Sequence, residues 1–225
     1  MYIREAKGNM YEFVTHTANP IQGVCYHDCK YCYMKPYPRF VRPVLITDSL
    51  KTKTPEGNFI FVGSSTDMFA DNVPAEYIKE VLNHCDCFNN KYLFQSKNPK
   101  KILDFINHPV FSKSVVCTTI ETNRNYPEIM RNAPKIEDRV LAMEEIASFN
   151  IETYVTIEPI MAFDLKEMIE CIKRCKPSQV NIGANTRWEY IQLPEPSKNE
   201  IKELAKELKK FTIIHLKQNL KRLWI

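Results

Sequence analysis

Short runs of β-branched and aromatic residues alternate along this chain with longer stretches in which apolar residues recur every three or four positions. An apolar stretch at 21–24 leads into a cysteine-rich loop, and 58–63 (Asn-Phe-Ile-Phe-Val-Gly) reads as a buried strand. Residues 74–88 predict a helix, with Ile78, Val81, Leu82 and Cys85 on one face. A strand is expected at 91–95, and Asn98-Pro99 then reads as an N-cap and first helical residue opening a helix to about 107. Further strands are expected at 114–120, 151–157, 179–183 and 211–215. Between them, 134–149 carries Ile136, Val140, Met143 and Ala147 on one stripe, and 164–175 turns Leu165, Met168, Ile169 and Ile172 inward. Ser197 with Glu200 forms a capping box that opens a helix through Ile201, Leu204, Ala205 and Leu208, and a short basic helix ends the chain.

Strands alternating with helices imply right-handed crossovers and a parallel sheet covered by helices. Six or seven such units fall short of the eight that close a full barrel. The expected architecture is therefore α/β, a partial (β/α)6 open barrel with helices outside. A doubly wound open sheet also satisfies the pattern. No repeat or linker divides the 225 residues, so one domain over 1–225 is expected, with a C-terminal extension over about 197–225.

Composition narrows the setting. A 44% hydrophobic and 26% charged chain is ordinary for a globular protein, and no run reaches the roughly 18 apolar residues of a membrane span. The first ten residues mix Arg4, Glu5 and Lys7 among apolar ones and lack a signal-peptide core, which points to the cytoplasm. In that reducing compartment, eight cysteines suggest a metal or catalytic site rather than disulfides. Thirty-one basic against 27 acidic residues, net +4, permit an anionic substrate without demanding one.

The candidate chemistry centres on Cys25-Tyr-His-Asp-Cys29-Lys-Tyr-Cys32, three cysteines in eight residues. Thiolates are the usual ligands of iron–sulfur clusters, and three of them leave one iron of a [4Fe–4S] cluster open. An open position lets a metal centre bind and activate a substrate. The alternative is a structural zinc ion with His27 as fourth ligand, in a non-catalytic interaction module. His27 lies two residues from both Cys25 and Cys29, which makes joint tetrahedral ligation awkward. A hydrogen bond from His27 that supports the loop is the better expectation.

The spacing, with an aromatic residue before the third cysteine, resembles the signature of the radical S-adenosylmethionine (SAM) superfamily. The wider string, from Asn19-Pro20 through Gly23, Cys25, His27, Cys29 and Tyr31 to Cys32-Tyr33, is similar to its spore-photoproduct-lyase-like branch and related phage-encoded members. The resemblance implies an enzyme with a [4Fe–4S] cluster on Cys25, Cys29 and Cys32 and SAM as second cofactor. It implies that an electron, from a donor such as flavodoxin or ferredoxin, splits SAM to methionine and a 5′-deoxyadenosyl radical that takes hydrogen from a substrate.

In a partial barrel, ligands bind at the C-terminal strand ends. Gly63-Ser64-Ser65-Thr66-Asp67 stands where the superfamily has a glycine-rich, SAM-contacting motif, although only one glycine is present. A turn with an aspartate cap is the plain alternative there. By the same resemblance Ser96, Thr119 and Glu121 reach ribose or carboxylate, and Tyr31 lies near adenine. Lys97, Glu158 and Asn181 are further polar strand-end candidates. Strand alternation sets Cys117 on one face with Thr119 and Glu121, and makes it a candidate hydrogen-atom donor. Cys85 and Cys175 read as small core hydrophobes, and a second cluster from Cys85, Cys87, Cys171 and Cys175 is disfavoured.

The resemblance favours a nucleic acid or nucleotide as substrate. Lys35, Arg39 and Arg42 interleave with Tyr33, Tyr37 and Phe40, and Lys217, Lys221 and Arg222 stand near Trp224. Such mixtures suit phosphate contact and base stacking; a solvated surface over core aromatics gives the same pattern. A small molecule or peptide is the alternative substrate, and no membrane partner is expected.

Overall fold

The strand and helix runs build one open sheet in a computed structural model that describes residues 1–224. Ile225, the end of the expected C-terminal extension, lies outside the described residues. The strands are β1 (Arg4–Glu5), β2 (His16–Ala18), β3 (Ile21–Gln22), β4 (Val44–Leu45), β5 (Phe59–Val62), β6 (Lys91–Ser96), β7 (Ser114–Thr119), β8 (Glu152–Ile157), β9 (Gln179–Ile182) and β10 (Ile213–Leu216). Eight of them form a sheet in the order β1-β2-β5-β6-β7-β8-β9-β10. Every neighbouring pair is parallel except β1 with β2. The sheet is thus a partial barrel of seven parallel strands with an antiparallel strand at one edge.

Its first parallel strand is β2, which pairs with β5. Pro20 has no N–H for a ladder, so the chain leaves the sheet there. Ile21–Gln22 pairs instead with Val44–Leu45 in a separate ribbon that brackets the cysteine loop. Gly23 follows at φ +141, and a Cβ there would sit 2.5 Å from the Arg42 carbonyl oxygen. Gly23→Ala is expected to cost about 1–3 kcal/mol in urea unfolding, through strain and backbone collision.

The helices are α1 (Thr47–Leu50), α2 (Ala75–Asp86), α3 (Lys100–Leu103), α4 (Pro127–Met130), α5 (Ile136–Ser148), α6 (Leu165–Arg174), α7 (Lys198–Leu208) and α8 (Lys221–Trp224). Ile78, Val81, Leu82 and Cys85 of α2 are buried as the periodicity requires, as are Met168 and Ile172 of α6. The Ser197–Glu200 capping box opens α7. The helix expected from Asn98 to about 107 is a single turn, α3. Asn98 does not cap it, because its side-chain amide donates to Phe69 O (3.1 Å) and Asp71 Oδ1 (2.8 Å). Pro109 then starts a 3-10 turn, and the residue before a proline disfavours helix.

Two apolar clusters follow from strand alternation. Ile60, Val62, Phe94, Val116, Val155 and Val180 face the helices in the larger one. On the opposite face, Phe61, Leu93, Val115, Cys117 and Tyr154 pack with Tyr11 and Val14 from the segment between β1 and β2. That segment fills the barrel below the strand ends. Among the described residues no helix is long and apolar enough to cross a membrane.

Candidate active site

A cavity of about 560 Å³ opens at the C-terminal ends of the parallel strands. Cys25, Cys29 and Cys32 line one part of it; Gly63, Ser96, Thr119 and Glu158, from four successive strand ends, line the rest. All eight cysteines are free, and no fourth one lines the cavity among the described residues.

The cysteine loop turns tightly. The amides of Asp28 and Cys32 donate to the carbonyls of Cys25 (3.3 Å) and Cys29 (3.1 Å), and Asp28 adopts a left-handed φ of +48. Neighbouring segments grip the loop: Lys30 N donates to Ile129 O (2.9 Å), and Asn132 N to His27 O (3.1 Å). Asp28 pairs with both Lys35 and Arg131. Burial, then Asp67, push the Cys25 thiol up to about 12, and burial raises Cys29. These two thiols are therefore neutral at pH 7, and a metal binding them would have to displace their protons.

A single ion and a cluster ask different things of this donor set. Among the described residues no three His, Cys, Asp or Glu side chains form a group that would hold one metal ion. In a cluster each thiolate binds its own iron, so three thiols rimming one space are sufficient. His27, the fourth ligand of the zinc alternative, meets Asp67 Oδ2 at 2.9 Å through Nε2, while its Nδ1 is buried without a hydrogen-bond partner among the described residues.

The Gly63–Asp67 turn sits opposite the loop. Gly63 has φ +83, with a Cβ position 3.1 Å from Thr66 O. Asn19 holds the turn, its Oδ1 accepting from Ser65 N (2.8 Å) and its Nδ2 donating to Ser64 Oγ (3.1 Å). Tyr33 donates to Ser64 O from the other side. Ser64, Ser65 and Asp67 all line the cavity, as do Tyr31, Lys97, Thr119 and Glu158. The Glu158 carboxylate accepts from Lys217 Nζ (2.6 Å), Asn219 Nδ2 (2.7 Å) and Asn9 Nδ2 (2.8 Å).

Three sequence candidates lie off the cavity wall. Glu121 is fully buried behind it, bonded to Tyr31, Lys97 and Arg139. Burial pushes the Glu121 carboxyl up, but Arg139 and Lys97 outweigh this and hold it at about 2. Asn181 is buried beside a smaller cavity of about 200 Å³, its Oδ1 accepting from Gln179 (2.8 Å). Cys117 is buried in the interior apolar cluster, and burial raises its thiol strongly. Sequence reading missed Arg139, which is legible in hindsight as a charge three residues after Ile136 on the apolar stripe of α5. It also missed Tyr11, whose hydroxyl donates to Gln95 (2.8 Å) at the cavity floor. Nothing in its local pattern marks it.

No protein-family model and no curated protein matches the sequence. Solved structures do match. A spore photoproduct lyase complexed with a dinucleoside spore photoproduct superposes with a TM-score of 0.67 at 10% identity, over 93% of this chain and 78% of that one. The chain has the radical SAM partial-barrel fold. A second spore photoproduct lyase, a variant crystallised with AdoMet and the same dinucleoside, gives 0.60 at 11% identity, over 91% and 64% of the chains. SuiB of Streptococcus suis bound to SAM gives 0.63 at 7% identity, over 89% of this chain and 49% of its own. The partial barrel expected from the alternation of elements is this one.

Proposed function

We propose that the protein is a radical SAM enzyme. The observation that carries this reading is the convergence, in one cavity, of Cys25, Cys29 and Cys32 with the polar strand ends from Gly63 to Glu158. Cys25, Cys29 and Cys32 would hold a [4Fe–4S] cluster. When bound, cluster and SAM together supply one-electron cleavage of the sulfonium carbon–sulfur bond and a carbon radical able to abstract hydrogen. The protein's own work is to bind, orient and shield. Gly63, Ser64 and Ser65 offer backbone and hydroxyls close to the loop. Ser96, Lys97 and Thr119 face the cavity for hydroxyl and carboxylate contacts, with the Tyr31 ring as one wall. The cavity floor, formed by Tyr11, Gln95, Glu158 and Lys217, is the proposed substrate end.

The rim favours a nucleic acid or nucleotide. Tyr33 and Tyr37 line the mouth while about half exposed, beside Lys35 and Arg39. Arg187 donates to the Cys32 carbonyl (3.3 Å), and Trp188 and Tyr190, which follow it in the chain, are exposed. Exposed rings among cations suit base stacking over phosphate contacts. The structural neighbours bind a dinucleoside photoproduct in one case and, in SuiB, a precursor peptide. The proposed setting is the cytoplasm, where thiols stay reduced and a flavodoxin or ferredoxin can supply the electron.

Anaerobic reconstitution with iron and sulfide, followed by dithionite and SAM, tests this reading. The expected result is 5′-deoxyadenosine, formed faster when DNA, RNA or nucleotides are added, with a stimulation that weakens as salt rises. No deoxyadenosine from iron-loaded protein overturns the enzyme reading. Stimulation by peptides or small metabolites alone overturns the substrate preference.

A further inference from the structure

Two carboxylates flank the cysteine loop, Asp67 with its side chain 11% exposed and Glu121 fully buried, and both are spent on protein donors. Asp67 Oδ2 accepts from His27 Nε2 (2.9 Å), Ser96 Oγ (3.0 Å) and Lys97 N (2.9 Å), while Oδ1 accepts from Phe69 N (3.0 Å). A carboxylate has about four acceptor sites, so Asp67 has little left for a ligand ammonium. Opposite an acceptor-only carboxylate, His27 must carry its proton on Nε2. Glu121 repeats the pattern on the other side. Oε1 accepts from Tyr31 Oη and from Lys97 Nζ (2.8 Å), and Oε2 from Arg139 Nη1 (2.8 Å). Its side chain and that of Arg139 are 0% exposed, so no ligand reaches either without the site opening.

His27 and Tyr31 stand two residues to either side of Cys29. Each is anchored by one of these carboxylates, and Lys97 joins the two anchors through its N–H to Asp67 and its Nζ to Glu121. We propose that Asp67 and Glu121 are positioning residues, a pair of clasps that fix the cysteine loop before any cluster is bound, and not SAM ligands. The inference deepens the proposed function and rests on it for its cofactor arm only. The loop order it asserts belongs to the protein without cofactor.

The test uses the full chain carrying Asp67→Asn or Glu121→Gln, with His27→Gln and Tyr31→Phe as milder variants that release the other end of each clasp. In the metal-free protein, amide hydrogen exchange of peptides covering 24–34 is expected to speed up by about tenfold, the usual effect of losing one charge-assisted bond. Exchange in β6 to β8 stays at its original rate in Asp67→Asn, His27→Gln and Tyr31→Phe; in Glu121→Gln, which also strands Arg139, acceleration at 24–34 exceeds that of the sheet. In reconstituted protein, iron loss to a chelator speeds up by a similar factor. SAM affinity per loaded cluster, measured by equilibrium dialysis with labelled SAM, changes by less than about threefold, within the scatter of an indirect contact. Unchanged exchange at 24–34 overturns the clasps, as does acceleration spread evenly over loop and sheet, which marks a general structural role. SAM affinity reduced tenfold or more, with iron retention intact, makes the acids direct ligands and also overturns them. If the unsubstituted chain binds no cluster, the proposed function fails, and the exchange arm alone still decides the clasps.

Discussion

Cys29→Ala protein, purified and reconstituted without oxygen, is expected to hold less than about one iron per chain where the unsubstituted protein holds about four. Formation of 5′-deoxyadenosine from SAM should fall by at least about a thousandfold, the scale of losing a centre that carries the chemistry. Cys29 is the buried middle thiol of the three, 4% exposed, and the loop around it is held by backbone bonds to Ile129 and Asn132 that an alanine does not touch. The substitution therefore removes a donor while leaving its frame. Cys85→Ala and Cys175→Ala, in helix faces away from the cavity, provide the contrast: iron content should stay as it was. Iron and sulfide assays with product chromatography read all three.

The largest effect on stability is expected from Arg139→Met. Arg139 Nη1 reaches both Glu121 Oε2 and Thr119 O at 2.8 Å, and Nε donates to Pro134 O (2.8 Å). Breaking a fully buried pair from one side costs about 3–5 kcal/mol, because the remaining charge is left without compensation. The pH dependence has a definite sign. The folded carboxyl of Glu121 lies at about 2, below its unfolded value. Its contribution is therefore complete above the unfolded carboxylate pKa and is lost as pH falls toward about 2. The gap between unsubstituted and Arg139→Met protein should be widest near neutral pH and narrow progressively below about pH 4. Adding Glu121→Gln to Arg139→Met should recover part of the loss, since it removes the stranded charge. Urea unfolding across that pH range reads each value.

Much of this architecture was legible in the residues. Helices α2, α6 and α7 lie where apolar spacing put them, and strands β5 to β9 follow runs rich in Val, Ile, Phe and Thr. The first parallel strand was not legible. His16-Thr17-Ala18 is three residues long with one buried, and it gains its place only by pairing with β5. The segment that fills the barrel was equally silent, because Tyr11 and Val14 meet partners from strands far along the chain. At the site, the cysteine spacing and the polar strand ends identified the cavity's walls. What sequence could not show was how the acids are spent. Asp67 and Glu121 look alike as strand-end carboxylates; only tertiary packing shows that one is filled by His27, Ser96 and backbone amides, and the other by Arg139 from a helix on the far side of the sheet.

The central claim is that Cys25, Cys29 and Cys32 hold three irons and leave a fourth for SAM. Mössbauer spectroscopy of the iron-57 protein, with and without SAM, tests it most directly. The account predicts a four-iron cluster in which one iron alone changes its parameters when SAM is added. Irons that are all indifferent to SAM, or a protein that takes up zinc and no cluster under the same conditions, would contradict it.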